Sequence, residues 1–165
     1  GMDYTSGIFD VSNGVKRMAT TLARQLAYYV TIFSGMQMAA DRPRFYEEVY
    51  HDAFKFIHDV PVSWERTLPL LGSIGQFYVV ARQERGGADW YVGGVTNEEG
   101  RRVRVSLDFL DDGNYMAEIY RDGETAHYRE NQTAIVIENR NVDKTDNLDI
   151  YMAPGGGFAV RLKKL

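Results

Sequence analysis

Residues 102–109, Arg-Val-Arg-Val-Ser-Leu-Asp-Phe, alternate strictly between polar and apolar side chains. Because successive side chains of a β-strand point to opposite faces, this pattern predicts a strand with one face in a core and the other in solvent. The dipeptide Asp112-Gly113, typical of tight turns, comes next, and the strand-like run Tyr115–Tyr120 follows it. We therefore predict that these two strands form a β-hairpin.

The same kind of pattern extends over residues 61–165. Further strands are predicted at Trp64–Leu70, Gln76–Arg82, Asp89–Val95, Thr133–Glu138, Leu148–Met152 and Phe158–Leu162. Short strands with a turn signal about every 8–12 residues predict an antiparallel β-sandwich. Pro69 cannot donate a hydrogen bond to a neighbouring strand, so we place its strand at a sheet edge. We interpret Gly72–Gly75 as a turn. Gly155–Gly157 is interpreted as a hairpin turn and not a phosphate-binding loop, because a strand-like run follows it instead of a helix.

Residues 1–60 have a helical pattern instead. Apolar side chains recur at intervals of three and four residues over Val15–Phe33, which predicts an amphipathic helix. A proline in the first turn and an apolar face predict a second helix over Pro43–His58. The run Met36–Ala40 between them suits either a buried strand or a helix tail. The expected fold class is α+β, with a helical segment of residues 1–60 followed by a β-sandwich of residues 61–165.

Composition narrows the classes of function. The 165 residues carry a formal net charge of −4, which argues against nucleic acid as a partner because phosphate-binding surfaces concentrate positive charge. Cysteine is absent, so disulfide frameworks and thiolate zinc sites are excluded. No apolar run is long enough to span a bilayer, and we expect no membrane partner. No charged segment followed by an apolar one opens the chain, so we expect no signal peptide within it.

Few residues suggest metal chemistry. His51 and His58 lie seven positions apart, whereas paired histidine ligands on a helix are usually about three or four apart, so we interpret them as surface or half-buried side chains. Asp143, Asp146 and Asp149 lie close together in the sequence but lack the order of an EF-hand loop. A calcium site at these three residues together with Asn147 stays the minor alternative.

Aromatic rings and adjacent carboxylates leave two further alternatives. Trp64, Trp90 and Tyr91 could stack against sugar rings as an aromatic platform, although core positions in the sandwich are the favoured interpretation. Adjacent carboxylates such as Asp111-Asp112 usually only solvate a turn, because the two carboxylates of a glycosidase must flank one bond at ~5–10 Å. The residues alone therefore predict a helical part and a sandwich without a self-contained active site.

Short motifs, in order along nearly the whole chain, carry a resemblance to a known family. They are Met2-Asp3-Tyr4-Thr5-Ser6-Gly7-Ile8-Phe9-Asp10, Thr20–Ala27, Gln37–Asp41, Phe54–Pro61, Trp64–Thr67, Gly75–Arg82, Trp90–Gly93 and Ala153–Gly157. The first four resemble the end of the catalytic (β/α)8 barrel of glycoside hydrolase family 97, and the last four resemble the C-terminal β-sandwich of that family. Ser6 stands where the family usually has proline.

The resemblance implies that this chain has a structural role and carries no catalytic residues. Members of the family are α-glucosidases and α-galactosidases, usually exported to the periplasm or beyond and calcium-dependent. An N-terminal β-sandwich precedes their barrel, and a C-terminal β-sandwich serves oligomerisation. Their catalytic carboxylates and calcium-binding glutamates lie upstream of the Met-Asp-Tyr-Thr motif, so the resemblance assigns no catalytic residue, metal ligand or cofactor to this chain. Asp3 and Tyr4 would at most line the wall near the catalytic end of a strand in an intact barrel.

Three hypotheses follow. The favoured one is a non-catalytic C-terminal part of a family 97-like glycosidase that supports folding and homo-oligomerisation. The alternatives are a carbohydrate-binding β-sandwich module, with carbohydrate as its partner, and a small independent hydrolase using residues such as Asp111, Asp112 or His127. Two helices and two short strands cannot close a barrel. We therefore expect the helices to pack on the sandwich or on a second copy, and Met2–Gly14 to be mobile or rearranged.

Overall fold

The computed structural model describes residues 3–10 and 19–165. Their elements are β1 (Tyr4–Ser6), α1 (Leu22–Thr31), β2 (Gln37–Ala39), a π-helical turn (Phe45–Val49), α2 (His51–Asp59), β3 (Trp64–Ser73), β4 (Phe77–Glu84), β5 (Trp90–Thr96), β6 (Arg101–Ser106), β7 (Tyr115–Asp122), β8 (Ile135–Val142), β9 (Asn147–Met152) and β10 (Gly157–Lys164). The predicted helix start at Val15 and much of Met2–Gly14 lie outside the described residues. None of the helices in the described ranges has the length and apolar character that a membrane span requires.

Three layers make up the fold. The middle layer is a six-stranded antiparallel sheet in the order β3-β4-β5-β10-β7-β8. The two-stranded antiparallel sheet β6-β9 covers one face of this sheet, and α1 and α2 cover the other, each across its own hydrophobic core. Alternation in β6 buries Val103 and Val105 against the large sheet. The α+β class and the antiparallel sandwich are confirmed, and the division at residue 60 stays a prediction.

The central strand β5 is buried on both faces, and its two adjacent glycines explain how. A side-chain carbon at Gly93 would lie 2.8 Å from Cβ of Val30 in α1, and one at Gly94 would overlap the ring of Phe158. Glycine at the first position lets α1 lie directly on the sheet, and glycine at the second leaves room for the ring in the opposite core. The helices therefore pack on the sandwich, which confirms the first of the two expected arrangements.

The helical layer begins with a strand–helix–strand unit. β1 and β2 are parallel, with Tyr4 opposite Gln37, and α1 connects them. Thr21 caps α1, because its hydroxyl oxygen accepts a hydrogen bond from the backbone N–H of Arg24 at 3.3 Å. Parallel strands joined by a helix are the repeating unit of a (β/α)8 barrel. The apolar run after α1 is thus a strand and not a helix tail. The expected burial of this strand is wrong, since Met36 and Met38 are exposed.

The second predicted helix is interrupted. In place of one helix over Pro43–His58, a π-helical turn precedes α2. A hydrogen bond of 2.9 Å from the Tyr50 N–H to the Phe45 carbonyl closes this wider turn. The extra residue changes the direction of the following side chains, so that Tyr46 is buried and the ring of Tyr50 contacts the ring of Phe9 edge-on.

Two predicted hairpins are wrong, for the same reason. β6 and β7 follow each other in the chain, but β6 pairs with β9 in the small sheet and β7 pairs with β10 and β8 in the large one. Likewise, Gly155–Gly157 connects β9 of the small sheet to β10 of the large sheet. Turn residues indicate where the chain reverses, but not whether the next strand stays in the same layer. The turn at Gly72–Gly75 and the edge position of Pro69 are confirmed, since β3 and β4 form a hairpin at the edge of the large sheet.

Candidate functional site

The two residues expected to line a barrel wall lie at the amino end of β1. Asp3 precedes the strand and Tyr4 begins it. Active sites of (β/α) barrels form at the carboxyl ends of the strands, which here are Ser6 in β1 and Ala39 in β2. In this chain Asp3 and Tyr4 thus lie at the opposite end of β1 from its carboxyl end, and their lining role in an intact barrel stays a prediction. The ring of Tyr4 instead packs edge-on against Tyr28 of α1, with ring centres 5.9 Å apart.

The loops at the carboxyl ends of β1 and β2 are tied together by hydrogen bonds. Asp41 accepts from the backbone N–H groups of Phe9 and Asp10, at 2.7 and 2.6 Å. The Tyr46 hydroxyl accepts from the Asp41 N–H at 2.8 Å and donates to the Gly7 carbonyl at 2.7 Å. Burial raises the pKa of Tyr46 well above its usual range. These polar groups therefore hold a loop in place and do not form an acid–base pair open to a substrate.

The three rings of the suggested sugar platform are buried in the two cores. Trp90 lies in the core between the sheets, where its ring is 4.9 Å from that of Phe109. Trp64 and Tyr91 lie in the core beneath the helices, with ring centres 5.6 Å apart. Side chains that are at most 7% exposed offer no ring face on which a sugar from solution could stack. The platform is therefore corrected to core packing, the favoured interpretation of the sequence.

The residues suggested for an independent hydrolase lie far apart. Asp111 and Asp112 precede β7 and His127 follows it. An eight-residue strand separates the two loops by about 25 Å, since each residue adds about 3.3 Å. Asp112 forms an ion pair with Lys144 at its own end of the sheet. His127 accepts a hydrogen bond from the Arg129 N–H at 3.2 Å at the other end. This separation prevents a shared catalytic site.

Two of the aspartates suggested as calcium ligands form hydrogen bonds within a turn. Asp143 Oδ1 accepts hydrogen bonds from the N–H and the hydroxyl of Thr145, at 2.7 and 2.6 Å, and Asp146 accepts one from the Asp143 N–H at 2.9 Å. These bonds form the tight turn between β8 and β9. Within residues 3–10 and 19–165, no group of three or more histidine and carboxylate side chains is arranged to hold a metal ion. His51 and His58 are exposed on α2, as interpreted from the sequence.

One buried polar site was missed by the sequence analysis. Asp122, at the end of β7, is fully buried, and its Oδ2 accepts hydrogen bonds from the backbone N–H groups of Ala153 and Gly157 at 2.9 and 2.8 Å. A side-chain carbon on Gly156 would overlap this carboxylate, so glycine is required there. Burial raises the pKa of Asp122 to about 6, against the opposing effect of the hydrogen bonds. Asp122 therefore fixes the triple-glycine connection.

The amino end of α1 rests on the same loops. The Leu22 N–H donates to the Gln132 carbonyl at 2.8 Å, and the Thr21 N–H donates to the Gly155 carbonyl at 3.3 Å. The Arg24 guanidinium donates to the Thr96 carbonyl at 2.7 Å. First-turn N–H groups have no partner within their helix, and here loops of the sandwich provide one. The helix is thereby fixed in position on the sandwich.

Ion pairs connect the other end of the helical layer to the sheet. Arg161 of β10 binds Asp59 of α2 at 2.8 Å and Asp89 before β5 at 3.0 Å. Lys55 of α2 binds Asp59 at 2.6 Å and Glu118 of β7 at 3.0 Å. The junction between helices and sandwich is therefore an apolar core bordered by polar contacts at both ends. Its chemistry is that of a structural joint and not of a catalytic centre.

Comparison with known proteins agrees with this architecture. Residues 63–163 match the family model described as the glycosyl-hydrolase 97 C-terminal, oligomerisation domain. A retaining α-galactosidase of Bacteroides thetaiotaomicron is 35% identical over 170 residues, which cover 98% of this chain and 25% of that protein. A probable retaining α-galactosidase of Streptomyces bingchenggensis is 30% identical over 158 residues, which cover 96% of this chain and 23% of that protein.

Solved structures extend the match over the helical layer. A family 97 enzyme from Pseudoalteromonas sp. strain K8, in complex with acarbose, is 46% identical with a TM-score of 0.94, over 99% of this chain and 26% of that one. A β-arabinopyranosidase, 20% identical over 97% of this chain and 25% of that one with a TM-score of 0.78, shares the fold. The chain thus spans about a quarter of the length of these proteins. It belongs to glycoside hydrolase family 97, and its residues 63–163 are the C-terminal oligomerisation domain of that family.

Proposed function

We propose that this chain is a non-catalytic support that holds a terminal strand–helix unit of a barrel in place and assembles copies of itself into a homo-oligomer. The match of residues 63–163 to an oligomerisation domain carries the proposal. The loop contacts at the amino end of α1 and the ion pairs of Arg161 support the first half, because together they fix the helices on the sandwich from both ends. The separation of Asp112 from His127 supports the absence of chemistry in the chain itself.

Sedimentation and activity measurements on the isolated chain test this function. We expect a mass that rises with concentration above the 18.8 kDa of one copy. We also expect no turnover of p-nitrophenyl α-galactoside or α-glucoside. A single mass of one copy at all concentrations would contradict the assembly role. Turnover that the Asp112→Asn substitution abolishes would contradict the non-catalytic role.

We propose that the calcium ligands of family 97 proteins lie in parts of those proteins that this chain does not include. The carboxylates of Asp143 and Asp146 already accept hydrogen bonds in their turn, which supports this. We therefore expect the melting temperature of the chain to be the same in calcium and in excess chelator. A chelator-induced drop that added calcium reverses, and that the Asp143→Asn substitution abolishes, would overturn the proposal.

The activity and the cellular location of a longer protein that contains this chain are also proposals. We propose that a protein containing this chain and a complete barrel hydrolyses α-glycosides, because one relative is named a retaining α-galactosidase, a second a probable one, and a third was solved with acarbose. We also propose that such a protein is exported, as the resemblance to family 97 implies. Cell fractionation together with an α-galactosidase assay of such a protein tests both. Activity confined to the cytoplasm would contradict the export, and inactivity on α-glycosides would contradict the substrate class.

A further inference from the structure

We propose that two copies of this chain associate through the β3–β4 turn, each inserting Ile74 into a cavity beside the turn of the other. The inference rests on the proposed homo-oligomerisation and names the surface and the partner for it. The hairpin surface is defined here as Leu71, Ile74 and Tyr78 with the adjoining cavity. It lies within the matched residues 63–163.

Ile74 is held outward by a rigid turn. Its side chain is fully exposed, which is the greatest exposure of any large apolar residue in the described part of the chain. The Gln76 N–H donates to the Ser73 carbonyl at 2.9 Å, and Gly75 takes a φ of 75° to complete the turn. The Asn97 N–H donates to the Gln76 carbonyl at 2.7 Å, which fastens the turn to the neighbouring loop. A preorganised apolar projection loses little conformational freedom when it binds.

The stretch around Ile74 contains no charge. Residues 67–78, Thr-Leu-Pro-Leu-Leu-Gly-Ser-Ile-Gly-Gln-Phe-Tyr, hold no acidic or basic side chain, although 25% of the whole chain is charged and about three would be expected there. In a two-fold contact each surface meets its own copy, so a charged surface would face like charges. With a net charge of −4 on each copy, the uncharged stretch of residues 67–78 suits such a contact. Depletion of charge is also typical of the centre of protein interfaces.

The same turn borders a cavity that can receive the projection. The cavity has a volume of 420 Å³ and is lined by Arg24, Gly72–Tyr78 and Val95–Asn97. Arg24 is the one charged residue of this lining, and its guanidinium donates to the Thr96 carbonyl at 2.7 Å. Since projection and cavity lie side by side, one two-fold axis can place each Ile74 in the cavity of the partner copy. A self-complementary contact of this kind closes at two copies.

The edge of the sheet favours contact through side chains and not through backbone pairing. β3 is an edge strand, and natural edge strands usually carry charges that prevent association. Here, Pro69 removes one N–H group, and register shifts near Trp64 and Pro69 bend the strand. An added strand therefore cannot pair along the whole edge. The turn at the end of β3 remains an exposed apolar feature of this edge that a second copy can bind.

Single substitutions test the surface by sedimentation equilibrium. We expect Ile74→Asp to raise the dissociation constant of the dimer at least tenfold, because a carboxylate would enter an apolar contact. Leu165→Asp is the matched control, since Leu165 is also exposed, at 69%, but lies at the opposite end of β10 from Gly157 and the turn. It is expected to leave the dissociation constant unchanged. Circular dichroism melting at a protein concentration below the dissociation constant of the dimer is expected to be the same for both variants and the wild-type chain.

Thiol labelling gives a second measurement. The chain has no cysteine, so Ile74→Cys and Leu165→Cys each introduce a single thiol. We expect the maleimide reaction at position 74 to slow as the protein concentration rises, and the reaction at position 165 to stay constant. Association that Ile74→Asp leaves intact, with position 74 reactive throughout, would overturn the hairpin surface but leave the assembly function standing. A wild-type chain that never associates would overturn both.

Discussion

Replacing Trp90 by alanine is expected to lower the free energy of unfolding by about 3–5 kcal/mol, the usual effect of removing a large aromatic side chain from a core. The side chain is 1% exposed. It packs against the ring of Phe109, and the guanidinium of Arg66 lies 5.2 Å from its ring centre. No described residue accepts a hydrogen bond from its indole N–H, so the expected loss is one of packing. Urea denaturation followed by circular dichroism measures it.

Trp90→Phe is the matched control for this effect. It keeps an aromatic ring in the core and removes only part of its volume, so we expect a loss of less than half that of Trp90→Ala. Calorimetry with an oligosaccharide distinguishes the packing role from the sugar platform. If Trp90→Ala kept its full stability and abolished a measurable heat of sugar binding, the core assignment would fail.

Replacing Asp122 by alanine is expected to lower the free energy of unfolding by about 2–6 kcal/mol at pH 5. Two buried backbone N–H groups, those of Ala153 and Gly157, would lose their acceptor, and each unsatisfied group costs about 1–3 kcal/mol. The Asp122→Asn substitution retains one acceptor oxygen and is expected to recover most of the loss. An alanine variant as stable as the wild-type chain would show that water replaces the carboxylate.

The same pair of variants tests how stability depends on pH. The pKa of Asp122 is about 6 in the folded chain, against the ordinary value of 3.8 that we take for the unfolded chain. The folded state therefore binds the proton more tightly. The contribution to stability is therefore complete below pH 4 and is lost as the pH rises through 6. Relative to Asp122→Asn, the wild-type chain is expected to lose on the order of 3 kcal/mol between pH 4 and pH 7. A constant difference across this range would contradict the assignment.

Local patterns predicted the elements of this fold better than their pairing. The alternation around Val103 and Val105 indicates a strand because the physical cause, one face in the core, acts between neighbours in the sequence. The choice of partner for β6 depends on which layer it enters, and no turn residue encodes that choice. The π-helical turn at Phe45–Val49 was missed for a similar reason. One additional residue per turn hardly changes an apolar pattern.

The buried site at Asp122 shows the same limit more clearly. In the sequence it is the first residue of Asp122-Gly123, an ordinary turn signal at the end of a strand. Its partners, Ala153 and Gly157, lie more than thirty positions further along, at the junction of two sheets. Only the assembled fold brings these groups together. The triple glycine Gly155–Gly157 is the one local sign of this site in the sequence. Glycine at Gly156 leaves room for the Asp122 carboxylate to approach the backbone closely.

The position of α1 against β10 has a consequence for the order of synthesis. The helix ends at Thr31, whereas the strand that buries much of its apolar face begins at Gly157. A ribosome makes the chain from the amino end, so α1 is synthesised long before the strand β10 that buries much of its apolar face. In a protein where the strand–helix unit completes a barrel, we expect the ring to close only after the sandwich has been translated. Prematurely terminated chains would then stay open, with the face of α1 uncovered, and would be recognised by chaperones and proteases.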